Sequence, residues 1–151
     1  MRVRDHMTAK VFTIRMDKKL LAVDEIMGWA HIRHVPVVDA QGKLVGLLSQ
    51  RDVLRATLSD LASTQVDRRN QLGHVSLSEV MRREVLTVGP DDSVQTAARL
   101  MRKHKYGCLP VIEGGQVAGI ITEHDLLAVV ERLGPDGGHP AQVPGPARGG
   151  A

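Results

Sequence analysis

Two short patterns carry the chemistry available to this chain: Ser49-x-x-Asp52 and Thr122-x-x-Asp125. Each follows a β-prone run, Gly46-Leu47-Leu48 or Gly119-Ile120-Ile121, and opens a helical stretch. At such a junction the hydroxyl can cap the helix or meet a phosphate, because free backbone N–H groups lie beside it. The carboxylate three residues on lies near the same face and can accept two hydrogen bonds from a ribose diol. A single copy reads as a helix cap. Two copies at equivalent places point to a ligand.

Cations stand close by in the sequence. Arg33 and His34 precede Val35-Pro36-Val37-Val38, and Arg51 and His124 come immediately before the two aspartates. Arginine offers phosphate a bidentate charged hydrogen bond, although each of these residues would also serve as a solvated helix end. Seven histidines raise the question of a metal, and His31 and His34 are three apart. No carboxylate or further histidine stands at ligand spacing beside them, so no metal site is expected. Cys108, the one cysteine, adjoins Leu109-Pro110 and reads as a small core residue rather than a redox thiol. With one cysteine no internal disulfide can form, which suits a reducing compartment. No Ser/His/Asp set, paired-carboxylate pattern or Walker-type loop is visible, so the residues point to binding without catalysis.

An internal repeat positions these residues. Met7-Thr8-Ala9-Lys10-Val11-Phe12-Thr13-Ile14 returns as Met81-Arg82-Arg83-Glu84-Val85-Leu86-Thr87-Val88, at an offset of 74. Val35 to Val38 returns as Leu109 to Ile112 at the same offset, and Gly46 to Asp52 returns as Gly119 to Asp125 at an offset of 73. One residue is lost in the intervening turn. Each copy reads strand, helix, strand, strand, helix. The first strands are Val11 to Ile14 and Val85 to Val88. The helices that follow start at Asp17 and at Asp91-Asp92, where Asp92 and Gln95 have capping-box spacing. Their cationic last turns, His31 to His34 and Arg102 to Lys105, suit the negative end of the helix dipole. Val35 to Val38 with Leu44 to Leu48, and Leu109 to Ile112 with Val117 to Ile121, form hairpins around Gly-containing turns. One copy has too few apolar residues for its own core, so the two are expected to pack face to face as an α/β (α+β) fold. Repeat 1 spans residues 1–57 and repeat 2 spans 77–133. Between them, 58–76 is a helical extension and linker; a Gly- and Pro-rich tail, 134–151, is expected to be disordered.

Bulk composition narrows the partners. Of 151 residues, 42% are apolar and 25% charged, as in ordinary soluble proteins. Aromatics make up only 2%, which counts against stacking of single-stranded bases. The basic clusters Arg68-Arg69, Arg82-Arg83 and Arg102-Lys103-His104-Lys105 are short and scattered, so a nucleic-acid partner is not expected despite the net charge of +3. No membrane span or secretory signal is legible, which leaves the cytoplasm as the expected compartment.

Several of these residues resemble a known family, the tandem cystathionine-β-synthase (CBS) domain pair or Bateman module. The resemblance rests on the Met-Thr opening, on Arg33-His34-Val35-Pro36-Val37-Val38-Asp39, and on Gly-φ-φ-Ser/Thr-x-x-Asp occurring twice; it covers residues 1 to about 132. It implies a pseudo-two-fold pair with clefts that take AMP, ADP, ATP, S-adenosylmethionine or related ligands. It also implies a homodimer and a stand-alone sensor that needs no other cofactor. By resemblance Asp52 and Asp125 bind ribose, and Ser49 and Thr122 lie beside sugar and phosphate with Arg33, His34, Arg51 and His124. Met7, Val11, Thr13, Val35, Met81, Val85, Thr87 and Leu109 are then the adenine pocket. The alternative is a ligand-free CBS scaffold for dimerisation or protein interaction. Because Gly107-Cys108 stand where the first copy has Arg33-His34, two equal clefts are not expected.

Overall fold

The computed structural model describes residues 1–57 and 65–134; the expected tail beyond Gly134 and the first part of the expected extension lie outside the described residues. Repeat 1 contains β1 (Ile14–Arg15), α1 (Leu20–Ala30), β2 (His34–Val38), β3 (Leu44–Ser49) and α2 (Gln50–Thr57). Two connecting helices follow, α3 (Gln65–His74) and α4 (Leu77–Val80). Repeat 2 contains α5 (Val94–His104), β4 (Cys108–Glu113), β5 (Gln116–Thr122) and α6 (Glu123–Leu133). The fold is α+β. β1 runs parallel to β2, which pairs antiparallel with β3; β4 pairs antiparallel with β5. The hairpins are in equivalent register, Pro36 facing Leu47 and Pro110 facing Ile120. Pro36 precedes the two residues of β2 that meet β1, so its missing N–H interrupts no bond to that strand.

The opening strands are shorter than expected. Val11 to Ile14 yields only Ile14–Arg15, and Val85 to Val88 yields a single parallel bridge, Val88 to Val111. The residues upstream are drawn to the opposite repeat. Thr8 bridges Ile120 of β5, with N···O distances of 2.9 and 3.0 Å. Arg82 bridges Leu47 of β3 at the same two distances. Two motif glycines permit this approach: a Cβ on Gly46 would stand 2.6 Å from the Met81 sulfur, and one on Gly119 would stand 2.8 Å from that of Met7.

The crossing interlocks two cores. One gathers Leu20, Val23 and Met27 of α1, Val35 and Val37 of β2, Leu48 and Val53, together with Leu72, Leu77 and Met81 from beyond repeat 1. The other gathers Ala97, Met101, Leu109, Val111 and Ile121 around Val3, from the start of the chain. α3 is held on α1 by a bidentate Arg68–Asp24 pair at 2.8 and 2.9 Å and by buried Leu72.

Helix ends correct the sequence reading in two places. α5 starts at Val94, and its cap is Ser93, whose Oγ accepts from the Thr96 N–H at 3.0 Å. Asp92 instead accepts from the Gly89 N–H at 2.7 Å, closing the preceding turn. α1 starts at Leu20 and stops at Ala30, so the cations from His31 to His34 lie beyond it. α5 keeps Arg102, Lys103 and His104 in its last turn. Both helices close on a left-handed residue, His31 (φ 54°) and Lys105 (φ 58°).

Candidate functional site

The Ser/Thr-x-x-Asp patterns form reciprocal capping boxes. Asp52 Oδ2 accepts from the Ser49 N–H at 2.7 Å and from Ser49 Oγ–H at 2.9 Å, while the Asp52 N–H donates to that Oγ at 3.3 Å. Thr122 and Asp125 repeat this at 2.8, 2.8 and 3.3 Å. Each box satisfies first-turn N–H groups of α2 or α6. One carboxylate oxygen is spent on the cap. Among the described residues Oδ1 of each aspartate accepts no hydrogen bond, which leaves it available to a sugar hydroxyl.

A cleft of about 370 Å³ opens between the repeats on the Asp52 side. It brings together five of the sequence-predicted residues: Arg33, His34, Ser49, Arg51 and Asp52. Sequence reasoning missed its other wall: Arg82, Lys105, Tyr106, Gly107, Cys108 and Glu123. Arg82 and Lys105 appear in the sequence only as members of basic clusters. Their signal lies in the repeat itself: a two-fold arrangement sets Gly107-Cys108 opposite Arg33-His34.

The cleft carries more positive than negative charge, with Arg33, Arg51, Arg82 and Lys105 against Asp52 and Glu123. Every ion pair among the described residues lies elsewhere, at Asp91, Asp17, Asp24, Glu25 and Glu113. Arg33, Arg51, Arg82 and Lys105 therefore face it with no carboxylate of the described residues within ion-pair distance. The Arg82 guanidinium lies 4.6 Å from the centre of the Tyr106 ring, a cation–π contact that holds the side chain over a firm surface. His34 is half-buried. Burial is the largest influence and lowers its pKa below the ordinary histidine value; Asp52 and Glu123 oppose the shift, and Arg33 and Arg82 reinforce it. Beside it Cys108 is 2% exposed. Burial pushes its thiol up to about 12 against the pull of Arg82, so it is a protonated wall residue without nucleophilic character at neutral pH.

The remaining expected residues are placed apart. Val85 and Thr87 line a second opening of about 340 Å³, with Lys43, Leu44, Val45 and Arg83. Val35 and Leu109 are fully buried in the two cores and line neither opening. Met81 belongs to the first core and Met7 packs on the second. Val11 is half-buried and Thr13 exposed, and neither lines these two openings. Thr122, His124 and Asp125 likewise line neither. Among the described residues no group of three or more His, Cys, Asp or Glu side chains is arranged to hold a metal ion. No helix there is long and apolar enough to cross a membrane.

Fold and site together define a duplicated α+β module with a cation-lined cleft between its repeats. The chain belongs to the CBS domain family, whose model matches residues 3–59 and 77–132, a tandem pair. A CBS domain-containing protein of Dictyostelium discoideum is 34% identical over 133 residues, covering 87% of this chain and 92% of that protein. Homoserine O-acetyltransferase of Methanococcoides burtonii is 32% identical over 129 residues; the match covers 85% of this chain but 24% of the enzyme. Among solved structures, the CBS domain pair of protein MJ0100, in complex with 5′-methylthioadenosine and S-adenosyl-L-methionine, has a TM-score of 0.76 at 26% identity. That likeness covers 89% of this chain and 98% of the other.

Proposed function

We propose that this chain is a non-catalytic regulatory module that binds an adenosine-type nucleotide between its repeats. The observation that carries this reading is the pairing, in one cleft, of the Asp52 carboxylate with Arg33, Arg51, Arg82 and Lys105, none of them ion-paired among the described residues. A ribose hydroxyl can donate to Asp52 Oδ1, while phosphate oxygens accept from the guanidinium groups. The cleft volume is of the size that nucleotide-like ligands occupy. The adenosyl ligands held by the MJ0100 pair support the same class of ligand. A homodimer is the proposed assembly. Regulation then follows if the ligand binds one arrangement of the repeats more tightly than another.

The test is a thermal-shift titration with AMP, ADP, ATP, S-adenosylmethionine and NADH. A ligand at 100 times its dissociation constant stabilises the native state by about 2.7 kcal/mol. A raised melting temperature with an adenosyl ligand is the expected result. No shift with any of them would overturn the reading in favour of a ligand-free scaffold for dimerisation or protein interaction.

A further inference from the structure

The opening at the hairpin-turn end of the seam shares no lining residue with the Asp52 cleft. Nor is it the repeat copy of that cleft, which holds Arg33 with its own equivalent Gly107 and His34 with Cys108. Its floor is aliphatic. Leu44 comes from β3, Ile112 from β4, and Val85 from the segment between the Arg82–Leu47 and Val88–Val111 bridges. All three are half-buried, yet none belongs to either core.

The rim is cationic. Lys43 and Arg83 line it, no carboxylate does, and neither cation is ion-paired among the described residues. Arg83 Nη2 donates to the Ser78 carbonyl at 3.2 Å, which steadies the guanidinium and leaves its other N–H groups to a ligand. In the adjoining turn the Asp39 carboxylate accepts from the Gln41 and Lys43 backbone N–H groups, at 2.9 and 3.0 Å, rather than from the Lys43 ammonium. Gln116 Nε2 donates to the Gln41 carbonyl at 3.2 Å and so ties the two hairpin turns together.

We propose that this opening binds a small amphipathic carboxylic acid, its carboxylate on Arg83 and Lys43 and its hydrocarbon on Leu44, Val85 and Ile112. A carboxylate accepts the paired N–H groups of a guanidinium in a bidentate charged hydrogen bond. Aliphatic side chains that join no core gain from a hydrocarbon cover that removes them from water. A fully polar anion leaves that floor wet, and a neutral hydrocarbon leaves both cations without a partner. The volume, about 340 Å³, lies at the small end of ligand pockets and suits a body of a few carbons.

Titration of the full chain with hexanoate, followed by amide NMR, tests this. Saturable shifts are expected at Lys43 to Val45 and at Arg83 to Thr87, with acetate and hexanol each binding about tenfold or more weakly. Lys43 and Arg83 are exposed, so the double variant Lys43→Gln/Arg83→Gln should melt as the wild type does. It should weaken hexanoate by about tenfold or more, and Lys43→Gln alone, which spares the bond to Ser78, should weaken it by less. ADP should bind the double variant with unchanged affinity, since neither residue lines the Asp52 cleft. Acetate bound as tightly as hexanoate, shifts confined to the Asp52 cleft, variants of undiminished affinity, or no saturable shift would each overturn the proposal. None of these outcomes bears on the nucleotide reading, which the ADP titration tests separately.

Discussion

At the scale of single residues, Asp52 caps a helix and, in the proposed function, receives a ribose hydroxyl, and a substitution separates the two. Its Oδ2 caps α2 and its Oδ1 is the oxygen left for a ligand. Asp52→Ala removes both, and the lost cap costs about 1 kcal/mol of stability. Asp52→Asn keeps an oxygen for the Ser49 N–H, so urea denaturation should find it less destabilised than the alanine variant. Asp125→Ala should show a comparable loss, because its box has the same geometry. Ligand-binding tests on alanine variants must therefore be run below their lowered melting temperatures.

His34 adds a pH dependence whose sign can be worked out. Its folded value lies below the ordinary 6.5, chiefly through burial, so near neutral pH it is uncharged. As pH falls below 6.5 the unfolded chain takes up a proton that the folded chain resists. The stability contribution is thus fully present above that value and lost as pH falls through the lower folded value. A phosphate beside His34 favours the imidazolium and draws its pKa upward, so binding takes up a proton. ADP affinity should rise as pH falls from about 8 to about 6. His34→Gln should flatten both profiles, in denaturation and in titration. A variant that kept the full rise in affinity would remove His34 from the site.

At the scale of elements, the motif glycines are set by close approach rather than by turn geometry. A Cβ on Gly119 would meet the Thr8 carbonyl oxygen at 2.8 Å, a backbone atom that cannot swing aside. On Gly46 the backbone oxygen of Arg82 is 3.1 Å away, and the closer atoms belong to the flexible Met81 side chain. Both Ala substitutions should destabilise, by roughly 1–3 kcal/mol for overpacking, with Gly119→Ala the worse. Gly28, inside α1, has nothing within 4 Å of the place a Cβ would occupy, so Gly28→Ala should stabilise by about 0.5–1 kcal/mol. Thermal melts of the three variants check the order.

The same elements show what could be read from sequence. The hairpins, the second helix of each repeat and the offset were legible because alternation, Gly turns and repeated spacing are local signals. The single residue lost between offsets falls in the hairpin turn, where Val38 faces Leu44 but Ile112 faces Val117. The cap of α5 was misplaced because Asp92 and Ser93 are adjacent and both suit the role; the Gly89 N–H claims the aspartate. Half of the cleft wall was hidden for a different reason. Arg82 reaches the cleft only because its strand segment crosses to β3, and no local pattern states which repeat a segment joins.

At the scale of the whole molecule, that crossing makes the two repeats one folding unit. Val3 is fully buried, yet it lies in the core built by α5, β4 and β5 rather than with the repeat it begins. Leu77 and Met81 serve the first core in the same way. Neither repeat can complete its core from its own residues. Val3→Ala should therefore lower the stability of the entire chain by roughly 1–3 kcal/mol, the sum of lost transfer energy and a cavity. Because each core contains a residue supplied by the other half, denaturation should remain a single transition, with unchanged m value and a lower midpoint. The cleft lies across the same seam, so a ligand bound there contacts both repeats and should raise that one midpoint. Two separate transitions in the variant, with the first repeat melting at its wild-type midpoint, would show the halves to be independent.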